Sequence, residues 1–412
     1  MSEDWIPLSD WGSAEQRRTV QAIWSEPRLK QISSALQESG IAVYLVGGVV
    51  RDLVLERSCK DIDLVVGCSP ERLFQVAREQ KRHLPGSHVP LDKERGTLRL
   101  CFSDLEEFDL VALQGRTLRE DLLCRDLRIN ALALDREGRL FDPTGGLEDL
   151  KAGILRGISQ QNFSQDPLRV LRCLRFAAQL KFRIDEETWD WACQASSGLE
   201  DVSGERVAVE LEKFFATAET PQLEYFCELA PEKSLFGESS VDYALLFEAM
   251  AAGLLSGERS LQLGLAVWLG ARLEHTLPVD ALVARLRVSN RVERFLVGWV
   301  RGLDCLRETS DFTLKSIFIL SKQAGPAFED LARVVQLEAF PLPLDSESRK
   351  RLLLEARREG SMNWAPLPWK GQDFMTLTGR KPGPWLGQLM AKVEVVWASG
   401  ELTDLDSALE YL

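Results

Sequence analysis

The fold of this chain is decided by residues 43–66, which read Val43-Tyr-Leu-Val-Gly47-Gly48-Val-Val-Arg51-Asp52 and, after a short spacer, Asp61-Ile-Asp63-Leu-Val-Val66. The two apolar runs have the length and β-branched content of buried strands. Gly47 and Gly48 lack a Cβ, so backbone N–H groups there can approach a phosphate closely. A helix that starts near Val49 would direct its positive end to the same place. The stretch therefore predicts a strand, a glycine turn, a helix and a second strand around a phosphate.

Two carboxylates open the second strand of this stretch. Asp61 and Asp63 are two positions apart, so both side chains leave the same face of a strand. Such a pair repels itself unless a hard cation lies between its members, and Mg²⁺ is the usual one. Alone, a diglycine is more often a plain turn and an Asp-x-Asp more often solvated surface. Together, between buried strands, they indicate nucleotidyl transfer.

Composition limits the class of protein. The chain has 412 residues, 45% hydrophobic and 27% charged, which is typical of an ordinary soluble protein with two to four units. Eight Cys without a Cys-x-x-Cys pair and only three His favour reduced thiols in the cytoplasm over disulfides or zinc. No apolar run approaches the roughly 18 residues of a membrane span. The net charge of −13 means that RNA binding would require local basic patches.

The 43–66 stretch resembles the signature of the nucleotidyltransferase superfamily, in its bacterial-type (class II) tRNA nucleotidyltransferase and poly(A) polymerase branch. That branch has Gly-Gly-x-Val-Arg-Asp followed by Asp-x-Asp. The resemblance implies that Gly47, Gly48 and Arg51 bind the nucleotide. A third acidic residue of the family matches Asp109, which by itself reads as an exposed strand position. The catalytic, Mg²⁺-binding set implied by the resemblance is Asp61, Asp63 and Asp109.

A later segment, Arg125-Asp126-Leu-Arg-Ile-Asn130-Ala, is similar to the family's Arg-Arg-Asp-Phe-Thr-x-Asn-Ala motif, which contacts the ribose. Cys124 replaces the first Arg of that motif. The resemblance implies that Arg125 and Asp126 form a donor–acceptor pair for sugar hydroxyls. From the residues alone, a salt bridge that opens a helix is the favoured alternative.

The segment Asp166-Pro-Leu-Arg169-Val-Leu-Arg172-Cys-Leu-Arg175 combines a helix start with a basic stripe. Asp166 has the chemistry of an N-cap, and the three Arg recur every third residue as a basic stripe, for which a solvated helix face is the alternative. The family's Glu-Asp-x-x-Arg reads the base of the incoming nucleotide, and Asp166 and Arg169 match it. A carboxylate accepts from the amine of cytosine or adenine while a guanidinium donates to ring acceptors. Arg172 and Arg175 would support this face or the RNA end.

Strand signals concentrate between residues 41 and 141 and nearly vanish after residue 151. We predict an α+β fold, a nucleotidyltransferase head with a five-stranded mixed sheet followed by an all-helical neck, body and tail. The expected divisions are an N-terminal extension (1–26), the catalytic head (27–150), a base-selecting neck (151–215), a helical body (216–335) and a tRNA-binding tail (336–412). Basic clusters in the tail, such as Arg349-Lys350-Arg351, predict either phosphate contacts or a solvated face.

The resemblance implies a transferase that adds CMP, and in full CCA-adding members AMP, from CTP and ATP to the tRNA 3′ end, releasing pyrophosphate. Where CCA-adding members have a flexible loop, only residues 114–117 connect the Asp109 strand to a helical-looking segment. This short link favours a CC-adding enzyme. The alternative is full CCA addition, with residues 81–96 in the loop's role. Two rival functions remain. A poly(A) polymerase shares these motifs but usually has a strongly basic C-terminal extension. A non-catalytic RNA-binding protein should have lost metal carboxylates, whereas Asp61, Asp63 and Asp109 are all present.

Overall fold

The computed structural model describes residues 5–58, 62–80, 83–104, 107–237, 243–255, 257, 259–270, 279–309, 311–340, 342, 344–359, 367–398, 402 and 404–412, with the main chain alone at 269–270 and 357–359. Within these ranges, no helix is both long and apolar enough to cross a membrane. The chain forms two compact units, Met1–Val202 and Ser203–Leu412. The finer five-part division stays a prediction.

A mixed sheet forms the centre of the first unit. Its strands are β1 (Trp5–Ile6), β2 (Val43–Val46), β3 (Asp63–Val66), β4 (Ser87–Asp92), β5 (Thr97–Cys101), β6 (Glu107–Ala112), β7 (Ala133–Leu134) and β8 (Leu140–Phe141). They lie in the order β1-β8-β7-β2-β3-β6-β5-β4. Only the β3–β6 pair is parallel among the strands of this sheet. The parallel pair brings the starts of β3 and β6 to the same edge.

The mixed α+β head is confirmed, but the predicted count of five strands is wrong, because this sheet has eight. Two of the additional strands, β1 and β8, are two residues long, too short to show the period-2 pattern that marks a strand. The third, β4, is a largely exposed edge strand containing Pro90, where its register against β5 shifts; within sheets, proline is found mainly at edges and bulges. β1 joins the N-terminal segment to the sheet.

Helices and short turns complete this unit. They are α1 (Leu8–Trp11), α2 (Ala14–Ser25), α3 (Pro27–Glu38), α4 (Gly48–Val54), α5 (Pro70–Glu79), α6 (Leu118–Leu123), α7 (Gly146–Ala152), α8 (Gln160–Gln165), α9 (Leu168–Leu180), α10 (Glu186–Ala195) and 3-10 turns at Arg128–Asn130 and Ser196–Asp201. The segment predicted as an all-helical neck also contains a short parallel pair, β9 (Ile154–Leu155) with β10 (Arg183–Ile184). Two-residue strands of this kind escape pattern analysis.

The second unit contains helices and no strand among its described residues, as predicted for the body and tail. Its helices are α11 (Gly204–Phe215), α12 (Thr220–Leu229), α13 (Pro231–Phe236), α14 (Ala244–Ala251), α15 (Ser260–Gly270), α16 (Val279–Leu286), α17 (Asn290–Glu308), α18 (Leu314–Ala324), α19 (Phe328–Val334), α20 (Ser346–Glu359), α21 (Gly371–Thr378) and α22 (Pro384–Ala398), with 3-10 turns at Gly325–Ala327 and Ser407–Tyr411. Helices α17 and α18 pack closely at Gly298, where an added Cβ would lie 2.2 Å from the Ala324 carbonyl oxygen.

Candidate active site

The glycine turn lies between β2 and α4. Gly47 has φ 69° and ψ −125°, a conformation that residues with a side chain rarely adopt. A Cβ at Gly47 would lie 3.0 Å from Arg125 Nη1 and 3.7 Å from Asp63 Oδ2. The Gly47 N–H donates to the Leu132 carbonyl oxygen at 3.3 Å, so this amide is engaged within the fold. The turn therefore brings bare backbone beside a carboxylate and a guanidinium.

Two of the predicted metal ligands lie side by side. Asp63 opens β3, and Asp109 is its in-register neighbour on the parallel strand β6. Such neighbours are about 4.8 Å apart and share a face of the sheet. Asp63 is exposed and Asp109 is partly exposed, and carboxylate oxygens are the ligands that Mg²⁺ prefers. The donor set fits a hard cation, while Asp61 lies outside the described residues.

Arg99 holds Asp109, a contact that the sequence did not suggest. Its Nε and Nη2 donate to Asp109 Oδ1 and Oδ2 at 2.8 and 2.9 Å, and its Nη1 lies 2.7 Å from Glu107 Oε2. Hydrogen bonding to Asp109 raises the pKa of Arg99 above its ordinary value. Because Leu98 and Leu100 are buried, strand alternation turns Arg99 to the opposite face. Its register against β6 could not be predicted from the sequence.

Arg51, which was predicted to bind the nucleotide, is held by three neighbours. Its Nη1 donates to Asn130 Oδ1 at 2.8 Å and its Nε to Asp52 Oδ1 at 2.9 Å. The guanidinium carbon lies 5.0 Å from the centre of the Phe176 ring, within the range of a cation–π contact. These contacts fix the head of Arg51 close to helix α9.

Asp126 is a buried charge whose two carboxylate oxygens both accept hydrogen bonds. Oδ1 accepts from the Leu127 N–H at 2.8 Å and from Asn130 Nδ2 at 3.0 Å. Oδ2 accepts from Arg172 Nε at 2.8 Å and lies 2.6 Å from Arg172 Nη2. Burial alone would raise the pKa of Asp126, but the charge of Arg172 and these hydrogen bonds outweigh it and hold the pKa below its ordinary value. Asp126 thus links its segment to α9.

Arg125 and Asp126, predicted to face a sugar together, have different partners. Arg125 Nη2 lies 3.1 Å from Asp121 Oδ2, whereas Asp126 pairs with Arg172. Among the residues that the structure describes, the buried Arg125 Nε has no hydrogen-bond partner. The salt bridges of this segment therefore join Arg125 to Asp121 and Asp126 to Arg172 on α9, and not Arg125 to Asp126 as the residues alone suggested.

The predicted base-reading pair lies at the junction of α8 and α9. α9 begins at Leu168, and Pro167 occupies its N-cap, one residue later than predicted for Asp166. The Asp166 carbonyl oxygen accepts from the Arg169 N–H at 3.0 Å. Arg169 Nη1 and Nη2 donate to the carbonyl oxygens of Arg125 and Cys124 at 3.0 and 2.7 Å, and burial lowers the pKa of Arg169. The guanidinium is therefore fixed against the segment that carries Arg125.

The basic stripe on α9 packs into the unit, so it is not a solvated face. Arg172 binds the buried Asp126. Arg175 is only 7% exposed, donates to Gln179 Oε1 at 2.8 Å and lies 3.9 Å from the Phe176 ring centre. Phe176, Asn130 and Arg99 are the residues of this region that sequence reasoning missed. Phe176 reads as an ordinary core residue, because only the fold brings the guanidinium of Arg51 to its ring.

Residues 43–156 match the family model of the poly(A) polymerase head domain, and residues 181–225 match that of the probable RNA- and SrmB-binding site of polymerase A. The CCA-adding enzyme of Staphylococcus epidermidis is 24% identical over 409 residues, which cover 91% of this chain and 94% of the relative.

Two solved structures have a similar fold. The Thermotoga maritima CCA-adding enzyme complexed with tRNA has a TM-score of 0.68 and 23% identity, with coverage of 98% of this chain and 96% of that one. A complex of a CCA-adding enzyme with CTP has a TM-score of 0.71 and 23% identity, with coverage of 95% and 96%. These likenesses extend over both units.

Proposed function

Since the chain belongs to the class II tRNA nucleotidyltransferase and poly(A) polymerase family, we propose that it transfers CMP from CTP to the 3′ end of tRNA and releases pyrophosphate. The observation that carries this proposal is that Gly47 lies beside Asp63 and Asp63 lies beside Asp109. The same compact unit contains Asp166 and Arg169. The CCA-adding relatives, with complexes of tRNA and of CTP among them, support the choice of substrates. Transfer to trimmed tRNA with each nucleotide supplied separately tests it.

The carboxylates would hold the metal of this reaction. Asp61, Asp63 and Asp109 are the residues that we propose for Mg²⁺, since two of them share a face and an edge and all three offer only oxygen. When bound, such ions activate the attacking hydroxyl and neutralise the leaving pyrophosphate. Gly47 has no side chain to fill the same place. We propose that the charge of Arg51 neutralises the triphosphate and that the backbone of Gly48 orients it.

Base selection would rest on Asp166 and Arg169. A guanidinium carries five N–H donors, and two of those of Arg169 are spent on carbonyl oxygens of the fold. The remaining donors are held in a fixed direction, which suits recognition of ring acceptors. Uracil and guanine present a carbonyl where cytosine and adenine present an amine, so buried polar groups would stay unpaired. That penalty supports strong rejection of UTP and GTP.

We expect Asp166→Ala to relax nucleotide choice more than it weakens tRNA binding. The ratio of CTP to UTP incorporation should fall by about one to two orders of magnitude, because the acceptor for the exocyclic amine is lost. Single-turnover incorporation with each nucleotide measures this ratio, and Asp190→Ala, at an exposed position of α10, serves as the control. Unchanged discrimination together with collapsed tRNA binding would make Asp166 an RNA contact instead.

A cleft in the second unit provides the local basic surface that an acidic chain needs for RNA. Its volume is about 750 Å³, and its cationic lining is Arg294, Arg301 and Lys322 against one carboxylate, Glu293. Lys322 also pairs with Glu394, whereas Arg294 and Arg301 are exposed. We propose that this cleft contacts tRNA phosphates.

The basic cluster Arg349-Lys350-Arg351 in the tail is a weaker candidate for phosphate contact than this cleft. Arg349 Nη1 donates to the carbonyl oxygens of Val335 and Leu337 at 2.6 Å each. This guanidinium therefore ties two segments of the fold together, and the cleft is the stronger candidate for phosphate contact.

Arg301→Ala is expected to weaken tRNA binding about three- to tenfold near 0.1 M salt and to lower the slope of log K against log salt by about one, since one phosphate contact is lost. Arg291→Ala is the matched control, because Arg291 is exposed on the same helix but does not line the cleft. Fluorescence anisotropy with labelled tRNA at several salt concentrations measures both. Equal shifts in the two variants would refute the cleft as a contact.

We further propose that the enzyme adds C residues only. The segment between β6 and α6 is short and held by hydrogen bonds: the Gln114 N–H donates to Asp121 Oδ1 at 2.9 Å, Gln114 Nε2 to the Arg95 carbonyl oxygen at 2.9 Å, and the Arg116 N–H to Glu120 Oε2 at 2.6 Å. A mobile lever is therefore not available from this link. Full CCA addition is the alternative; residues 87–96 of the segment proposed to replace the loop include strand β4, which pairs with β5.

A further inference from the structure

Three charged side chains form a row across three adjacent strands. Asp63 on β3 is in register with Asp109 on β6, and Asp109 is in register with Arg99 on β5. In-register neighbours share a face of the sheet, so Asp109 lies between a carboxylate and a guanidinium. The guanidinium is thus the permanent cation nearest to Asp109 along this row.

The contact between Arg99 and Asp109 uses the full fork of the guanidinium. Both carboxylate oxygens accept a hydrogen bond, at 2.8 and 2.9 Å, which is the strongest and most directional form of this pair. The third nitrogen of Arg99 reaches Glu107, which holds the guanidinium from the other side. Asp109 is therefore oriented and partly neutralised before any ligand binds.

This arrangement has opposite effects on geometry and on affinity. The fork fixes the direction of the remaining lone pairs of Asp109, which favours a precise site for an oxygen-seeking cation. A fixed positive charge within hydrogen-bonding distance of the same carboxylate repels that cation. Only further negative oxygens, such as those of a nucleoside triphosphate, would offset the repulsion.

We propose that Arg99 is a positioning residue that orients Asp109 and weakens its intrinsic affinity for a divalent cation, so that a cation is retained at Asp109 only together with a nucleotide. The inference rests on the proposed function, because it takes Asp63 and Asp109 as metal ligands. It assigns Arg99 a role in the order of binding, which an ion pair that only joins β5 to β6 would not have.

The test is a titration of the intact protein with Mn²⁺ in the absence of nucleotide, followed by electron paramagnetic resonance of the free ion. Arg99→Gln should bind Mn²⁺ about tenfold more tightly than the unaltered protein, since the repelling charge is gone while the volume is nearly kept. Arg99→Lys keeps the charge and should stay within about twofold of the unaltered protein. Addition of a non-hydrolysable CTP analogue should reduce the difference between the Gln variant and the unaltered protein.

Arg95→Gln is the matched control, because it removes the same charge from an exposed position four residues earlier in the chain. An Arg99→Gln affinity within twofold of the unaltered protein, or an equal gain in Arg95→Gln, would overturn the inference. Thermal melting of each variant identifies loss of fold. If Arg99→Gln does not fold, Arg99→Lys decides, because tighter Mn²⁺ binding in this folded, charged variant would refute the role of the charge. Transfer of CMP by the unaltered protein is a separate measurement, so failure of this inference and failure of the proposed function are distinguishable.

Discussion

Asp63→Ala is expected to reduce nucleotide transfer by at least about a thousandfold while leaving the fold intact. The side chain is exposed and lies beside Asp109, so its removal takes away a proposed metal ligand and not a core contact. Asp61→Ala is expected to have the same effect on transfer. Rates of CMP incorporation under saturating CTP measure both.

The stability of these variants provides the second half of the test. Removing one of two neighbouring carboxylates relieves repulsion, so the melting temperature of Asp63→Ala without divalent cations should equal or exceed that of the unaltered protein. Asp190→Ala is the control for loss of an exposed aspartate. Near-normal transfer by either metal-ligand variant would refute the assignment of the carboxylates.

Products ending in CC are expected when tRNA that ends at its discriminator base is incubated with both CTP and ATP. The link between β6 and α6 is short and held by the hydrogen bonds of Gln114 and Arg116, so the pocket should keep its cytosine geometry. Cytosine and adenine place their amines differently relative to the ribose, and a fixed Asp166–Arg169 pair cannot serve both. Sequencing of the product ends measures the outcome.

A substantial fraction of products ending in CCA would refute the CC-only proposal while leaving the transferase assignment intact. A lengthened link would be the matched variant: insertion of a flexible segment after Gly115 should permit some AMP addition if rigidity is the cause. An insertion variant that still adds CMP but no AMP would place the cause in the base-reading pocket.

The sequence predicted those parts of the fold that are local. The buried runs at β2 and β3 and the glycine turn between them are visible, because β-branched runs and glycine at positive φ have local signals. The strand that carries Asp109 was also predicted, whereas its parallel, in-register position beside Asp63 is known from the structure alone. The count of five strands was wrong because β1 and β8 carry too few residues for any pattern and β4 is a largely exposed edge strand.

The contacts of the candidate site were harder to predict, because they join distant parts of the chain. Asp126 pairs with Arg172, 46 positions later, and no local pattern specifies that partner. Arg99 binds Asp109 through the register of two strands, which alternation alone does not determine. The spacing of the three Arg of α9 predicted a basic stripe, but not the partners that hold it, because Arg172 binds Asp126 and Arg169 binds the carbonyl oxygens of Cys124 and Arg125, all more than 40 positions away.

The central claim is that this chain is a tRNA nucleotidyltransferase that selects its nucleotide without a nucleic-acid template. The most direct measurement is incubation with tRNA lacking its 3′ end and each of the four labelled nucleotides separately, with an unrelated RNA as the control. We expect CMP transfer from CTP to the tRNA, and no transfer from UTP or GTP. Absence of transfer from CTP would contradict the claim, as would long A tails made from ATP alone on the unrelated RNA.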